Sequence, residues 1–156
     1  MMLRLCYLSL ILNFFIRGDI VGVLFRNTDI TVYNKYNDVG SEITKCQRTV
    51  IKGVNWQVKR NGTVSDKGLL LADSTLIFVD RLENYVSPKR FARLELLERK
   101  KYFTFAIGDK IAKGEVEFEV IGIKPYSIAD LDKEFDDVIT IKSVNELSGH
   151  FEIEGV

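Results

Sequence analysis

Val54-Asn55-Trp56-Gln57-Val58-Lys59, residues 54–59, places an apolar side chain at every second position. Successive side chains of a strand point to opposite faces, so Val54, Trp56 and Val58 line one face and Asn55, Gln57 and Lys59 the other. Asn61-Gly62 follows, and both residues tolerate the positive φ of a tight two-residue turn. The stretch therefore predicts a half-buried strand that runs into a hairpin turn at residues 61–62.

The pattern repeats on both sides. Upstream, Thr49-Val50-Ile51 is rich in β-formers. Before it, Ile30, Val32 and Asn34 alternate with Thr31, Tyr33 and Lys35, and the turn cluster Asn37-Asp38-Val39-Gly40-Ser41 lies between. Downstream, Leu69-Leu70-Leu71-Ala72-Asp73 reads as an apolar stretch that then turns. The unbroken run Leu76-Ile77-Phe78-Val79 reads as a buried central strand. Phe103, Phe105 and Ile107 alternate with Tyr102, Thr104 and Ala106, and Gly108-Asp109 turns the chain. Val116, Phe118 and Val120 alternate with Glu115, Glu117 and Glu119, which predicts a strand with an acidic outer face. Val138, Ile139 and Ile141 begin another strand; Phe151 and Ile153 alternate with His150, Glu152 and Glu154 in the last.

Helix signals are few. Ser87-Pro88 is an N-cap with proline at the first helical position; Phe91 and Leu94 then face inward, with Leu97 a further inward candidate. Arg90, Arg93, Arg99, Lys100 and Lys101 form a solvated face. Ser127 and Asp130 make a capping box ahead of Ile128, Leu131 and Phe135, which share one helical face. The sum is a mainly β protein: a small antiparallel β-barrel or sandwich of seven or eight short strands, with one or two short helices and a separate apolar N-terminal segment.

Composition narrows the function. The chain's 156 residues suit one domain, and 22 basic against 22 acidic side chains argue against a nucleic-acid binder that works by bulk charge neutralisation. One His and two Cys cannot build the usual four-ligand zinc site.

Met1 to Ile16 is apolar except for Arg4, Ser9 and Asn13, and Arg17-Gly18-Asp19 closes the run. A secretory signal needs a small-residue cleavage site that Asn13-Phe14-Phe15-Ile16 does not offer. A membrane span needs about 20 apolar residues, more than are present. A core helix would show a polar face, and none is visible. Arg17-Gly18-Asp19 is encodable as AGA-GGA-GAY, a purine-rich ribosome-binding sequence, with Val23 (GTG) or Leu24 (TTG) as start codons just downstream. The first reading is therefore that residues 1–22 are a translated leader that contributes nothing to a single β-rich domain at residues 23–156. A short membrane anchor at residues 1–16 comes second, and a signal peptide third. Without the leader Cys46 is the sole cysteine, which suits a reducing compartment and no disulfide framework.

Each candidate site has a plainer reading beside it. Asp130, Asp132, Glu134, Asp136 and Asp137 have the density of a calcium loop, but Phe135 and Ile141 stand where the glycine and the bidentate Glu belong. Acids at a helix N-terminus explain them better. His150 has no catalytic motif around it and reads as an exposed strand histidine; Cys46 reads as a half-buried structural thiol. Gly108-Asp109-Lys110-Ile111-Ala112-Lys113-Gly114 lacks the helix that a phosphate loop opens, so it reads as β-turn structure. The expectation is no catalytic residue, no metal and no cofactor.

A family resemblance adds what the chemistry lacks. Thr31-Val32-Tyr33-Asn34-Lys35-Tyr36, Arg48-Thr49-Val50-Ile51 and Gly53-Val54-Asn55-Trp56 resemble the opening of a group of uncharacterised bacteriophage and prophage virion proteins. The resemblance continues in Ala72-Asp73-Ser74, Pro88-Lys89-Arg90-Phe91 and Phe103-Thr104-Phe105. It is strongest in Gly108-Asp109-Lys110-Ile111, Gly114-Glu115-Val116, Phe118-Glu119-Val120 and residues 131–138. The layout is more loosely similar to phage head–tail joining (head-closure, or stopper) proteins. The resemblance implies a non-enzymatic neck or minor capsid component of the virion, assembled as a homo-oligomeric ring in the bacterial host cytoplasm. Its partners would be portal, adaptor or tail proteins, with no sequence-specific nucleic-acid readout. The alternatives are a barrel that binds a small ligand or single-stranded nucleic acid and, third, a prophage protein tethered to the membrane by residues 1–16.

Two expectations follow for the folded molecule. Trp56, Phe78, Phe105, Phe118 and Ile141 should meet in one core. Subunit contacts should fall on the loop Asn37 to Thr44, with Asp38, Ser41 and Glu42, and on the basic stretch with Arg90, Arg93, Lys100 and Lys101.

Overall fold

Alternation in the sequence becomes six strands: β1 (Thr28–Asn37), β2 (Thr44–Ser65), β3 (Gly68–Asp80), β4 (Lys110–Lys113), β5 (Val138–Glu146) and β6 (His150–Gly155). In this computed structural model, which describes residues 23–37, 40–65 and 68–156, they close into an antiparallel barrel in the order β1-β2-β3-β6-β5-β4. Closure follows from β1 pairing on both sides, with Val32 opposite Thr49 of β2 and opposite Ile111 of β4. Three short helices complete the described residues: α1 (Pro88–Phe91), α2 (Leu96–Arg99) and α3 (Ile128–Glu134). The apolar segment 1–22 and Asp38 lie outside the described residues, among which no helix is long and apolar enough to cross a membrane.

The barrel is filled rather than hollow. Ile30, Val32, Ile51, Val54, Trp56, Ile77, Val79, Ile111, Ile141 and Ile153 form its interior, and Phe103, Phe105 and Phe151 join them. Tyr85 closes over the three rings, with its centroid 4.3 Å from Phe151 and 5.8 Å from Phe105. A second cluster lies outside the wall, where Tyr33, Cys46, Ala112, Val116, Val120 and Leu131 are buried together. This is why β1 is buried on both faces from Ile30 to Asn34, although its sequence alternates.

The expected common core is therefore split. Trp56, Phe105 and Ile141 occupy the barrel, but Phe118 packs, half-buried, against the outer cluster. Phe78 is also half-buried and faces away from the core: its neighbours Ile77 and Val79 take the inward positions of β3, and its own ring lies 6.0 Å from His150. The run 76–79 is thus one-sided, not a strand buried on both faces.

Further expectations are corrected. Residues 110–113, read as part of a β-turn, form β4 and pair with β1 and β5. The hairpin does not turn at Asn61-Gly62; those residues pair with Ala72 and Leu71, and the ladder runs on to Ser65 opposite Gly68. Thr63 and Val64, opposite Leu70 and Leu69, continue the strand pairing past a local turn signal, and for the same reason the chain does not turn after Leu69–Asp73. Residues 116–120 alternate in burial without joining a ladder. Their backbone is satisfied otherwise: Val116 N–H donates to Thr31 Oγ1 at 2.9 Å, the Tyr33 hydroxyl to Phe118 O at 2.9 Å, and Cys46 N–H to Val120 O at 3.0 Å. Residues 103–107 likewise form no strand, only a parallel bridge between Tyr85 and Phe103, and Ile107 is 75% exposed in the turn that follows. Finally, the basic stretch is two single-turn helices, so Leu97 is 78% exposed while Phe91 is buried.

Candidate interaction surfaces

The lobe of α1 and α2 is positioned by its least exposed parts. Pro88 fixes the first turn of α1, and Phe91 anchors it, although Ser87 makes no side-chain cap bond. Gln47 of β2 donates to the carbonyls of Arg99 at 3.0 Å and Tyr102 at 2.7 Å, satisfying backbone at the end of α2. Arg99 does not belong to the solvated face assigned to it. Its guanidinium lies 5.3 Å from the Tyr36 ring centroid and 5.6 Å from that of Phe91, and donates to Leu94 O at 2.9 Å. The flat, weakly hydrated guanidinium suits such a slot. Arg90, Arg93, Lys100 and Lys101 are exposed as expected, together with Lys89, and none takes part in an ion pair among the described residues.

The structure brings one end of the predicted contact loop to this lobe. Asn37 lines a cleft of about 260 Å³ with Tyr36, Phe91, Arg99 and Asp109. Ser41 is half-buried and accepts the Ile43 N–H at 3.1 Å, and Glu42 is exposed. Beyond them Ile43 and Thr44 pack on Gly122, whose φ is +82° and where a Cβ would meet Ile43 Cγ2 and the Thr44 carbonyl oxygen. Ser41 and Glu42 thus lie on the stretch of chain between the basic lobe and the turn at Gly122.

A polar network beneath the cleft went unread in the sequence. Asn34, fully buried, donates to Thr104 O and to Asp109 Oδ2, both at 2.7 Å, and accepts the Thr104 N–H at 3.2 Å. Asp109 Oδ1 accepts the Lys35 N–H at 3.0 Å. Burial pushes the Asp109 carboxyl above the usual carboxylate range, against the opposing pull of the bonds from Lys35 and Asn34. Gly108, at φ +92°, makes the preceding turn. The Gly-Asp pair of the sequence thus fastens the start of β4 to β1. The signal that could have revealed it was Asn34, a polar residue in the inward register of Ile30 and Val32.

A larger cavity, about 820 Å³, opens at the end of β3 between Asp80, Tyr85, Ser87, Arg90 and Glu146. Two arginines on its wall are committed, Arg26 to Asp80 and Arg81 to Glu146, whereas Arg90 has no ion pair among the described residues.

The remaining candidates have structural roles. Cys46 is buried, and its thiol is pushed up to about 12, chiefly by burial with the Asp109 charge adding to it. Such a thiol is a poor nucleophile. His150 is partly buried 3.6 Å from Glu152. Asp130 accepts the Ser127 N–H at 3.0 Å while Ser127 Oγ accepts the Asp130 N–H, the reciprocal capping box expected of α3. Asp132 and Asp137 pair with Lys110 at 2.9 Å and Lys113 at 3.7 Å.

The β2–β3 hairpin reaches beyond the barrel. β2 pairs with β1 only as far as Val54 and then with β3 from Asn55 to Ser65; β3 meets β6 only from Thr75 onward. Asn27 caps the junction, its side-chain amide donating to Trp56 O and accepting from Trp56 N–H, each at 2.9 Å. Past that point the two strands pair only with each other among the described residues, so each has an open edge.

Residues 25–156 match the model of a family of unknown function, DUF6751. No curated protein and no solved structure matches the chain.

Proposed function

The chain belongs to the DUF6751 family, whose function is unknown, and on that premise we propose from its own surfaces that it is a non-enzymatic assembly component of a bacteriophage or prophage particle. The position proposed is the neck between head and tail, or a minor capsid site. The observation that carries this reading is the hairpin arm of β2 and β3. A two-stranded ribbon is marginal by itself in water, and open edges invite pairing. An arm built this way fits a protein whose working state is an assembly with neighbouring virion proteins. The virion-protein resemblance of residues 108–120 and 131–138 supports the same reading.

A binding module is the second reading, and the cavity beside Arg90 is what favours it. The packed interior argues against a ligand inside the barrel, and a rim site would have to work with Arg90, which has no ion pair among the described residues.

The test is incorporation. Arg90→Glu, Arg93→Glu and Lys101→Glu are combined, the fold is checked by its melting curve, and purified particles are assayed for the protein. Loss from particles, with heads unjoined to tails, is expected. Normal entry of the folded variant would remove the basic lobe from the contact surface.

A further inference from the structure

Two lobes outside the barrel carry opposite formal charge in equal amount. Residues 88–102 hold six cations against two carboxylates, and residues 127–137 hold five carboxylates against one lysine. In the basic lobe five exposed cations have no ion pair among the described residues, as noted for Lys89, Arg90, Arg93, Lys100 and Lys101. In the acidic lobe, Asp130 caps its own helix and Asp132 and Asp137 have lysine partners, which leaves Glu134 and Asp136 exposed and without an ion pair among the described residues.

Each lobe also has apolar surface. Leu96 and Leu97 are 50% and 78% exposed on α2. Beside the acidic lobe, Ile123 and Tyr126 are 56% and 48% exposed, and the Tyr126 ring is 5.8 Å from Phe118. Apolar area framed by charge is the composition of a protein contact, not of a phosphate-tracking groove. Glu95 and Glu98 within the basic lobe would also repel a polyanion.

From this complementarity we propose that the basic lobe docks on the acidic lobe of a second copy of this chain. The exposed cations and the exposed carboxylates then partner each other, and Leu97 covers apolar surface near Tyr126. The two patches differ, so the contact is heterologous: each copy offers one free patch of each kind, and addition either closes a ring or continues as a filament. This names the partner of the basic stretch, and it rests on the assembly reading for the setting in which copies meet.

The test uses the full chain as an equal mixture of isotope-labelled and unlabelled copies at high concentration and low salt. A zero-length carbodiimide joins lysine amines to carboxylates in contact. Mixed-isotope peptides linking Lys100 or Lys101 to Glu134 or Asp136 are expected, and molar salt should cut their yield about tenfold by screening. Arg90→Glu with Arg93→Glu should lower it by about tenfold as well, since the lysines remain but the attraction is gone. In sedimentation, that variant and the Glu134→Arg, Asp136→Arg variant should each fail to associate alone, and associate when mixed. Links confined to single copies, or a yield that the charge reversals leave unchanged in folded protein, would overturn the proposal. Copies that couple in this way but never enter particles keep the contact and remove its virion setting. Particles that contain the protein without these links overturn the contact alone.

Discussion

Replacing Asp109 by Asn should destabilise the protein by about 1–3 kcal/mol at neutral pH, because the substitution puts a donor where only acceptors fit. Asp109 is 4% exposed, and its two oxygens accept from Asn34 Nδ2 and Lys35 N–H. An amide of the same shape must aim its NH₂ at one of these donors. Asn34 cannot turn over to receive it, since its own oxygen and nitrogen are both held by the Thr104 backbone. One charge-assisted bond, worth about 1.5–3 kcal/mol, is lost and a donor is left facing a donor; the easier desolvation of a neutral amide offsets part of this. The pH dependence has a fixed sign. The folded-state carboxyl titrates above its unfolded value, so between the two values the folded form binds more protons, and this site's contribution to stability falls as pH rises through the folded-state value. Lowering the pH from 7 toward the ordinary carboxylate range should therefore stabilise the wild type relative to Asp109→Asn, which has no proton to gain there. Urea unfolding of both proteins at several pH values measures it. A variant as stable as the wild type at pH 7, or a stability difference that shrinks as pH falls, would refute the reasoning.

Three more outcomes follow from the packing. Phe105→Ala should cost about 3–5 kcal/mol, because Phe105 is 2% exposed in the barrel, while Phe118→Ala, half-buried on the outside, should cost about 1–3 kcal/mol; equal shifts in urea midpoint would contradict the split core. Gly122→Ala, at φ +82° and against the Thr44 carbonyl, should cost about 2–4 kcal/mol in the same assay, and a neutral result would mean that the turn is not held against Ile43. In a Cys6→Ser background, Cys46, buried and with its thiol pushed up to about 12, should react with a thiol reagent only on unfolding; immediate labelling of the folded chain would show an accessible thiolate.

Five strands were legible from alternation or apolar runs, but β4 was not, because Gly108 and Gly114 made residues 108–114 read as a turn, and strand length was not legible either. The apolar faces of β1, β5 and β6 lie where period-2 patterning puts them. The β2–β3 hairpin was read as broken at Asn61-Gly62 because turn chemistry is local, whereas a ladder of β-formers on both strands overrides it. Residues 116–120 show the opposite error. Their alternation is real, but it reflects a segment laid across an already closed barrel and held by Thr31 and Tyr33, partners distant in sequence. The same blindness to distant partners hid the Asn34–Asp109 network and placed Arg99 among the solvated charges. The exposed cations of the basic stretch were legible, since a run with that density of charge cannot be buried without partners. The arm was not, because its significance lies in the pairing that β2 and β3 lack beyond Trp56 and Thr75.

The proposed assembly role is tested most directly by counting the protein in particles. Phage or prophage particles from a strain carrying the gene are purified, washed free of soluble protein and quantified by mass spectrometry against the major capsid protein. The account predicts the chain at a small, constant number of copies per particle, and particles made without it that accumulate unjoined heads and tails. Its absence from intact particles that are complete and infectious would contradict the virion reading.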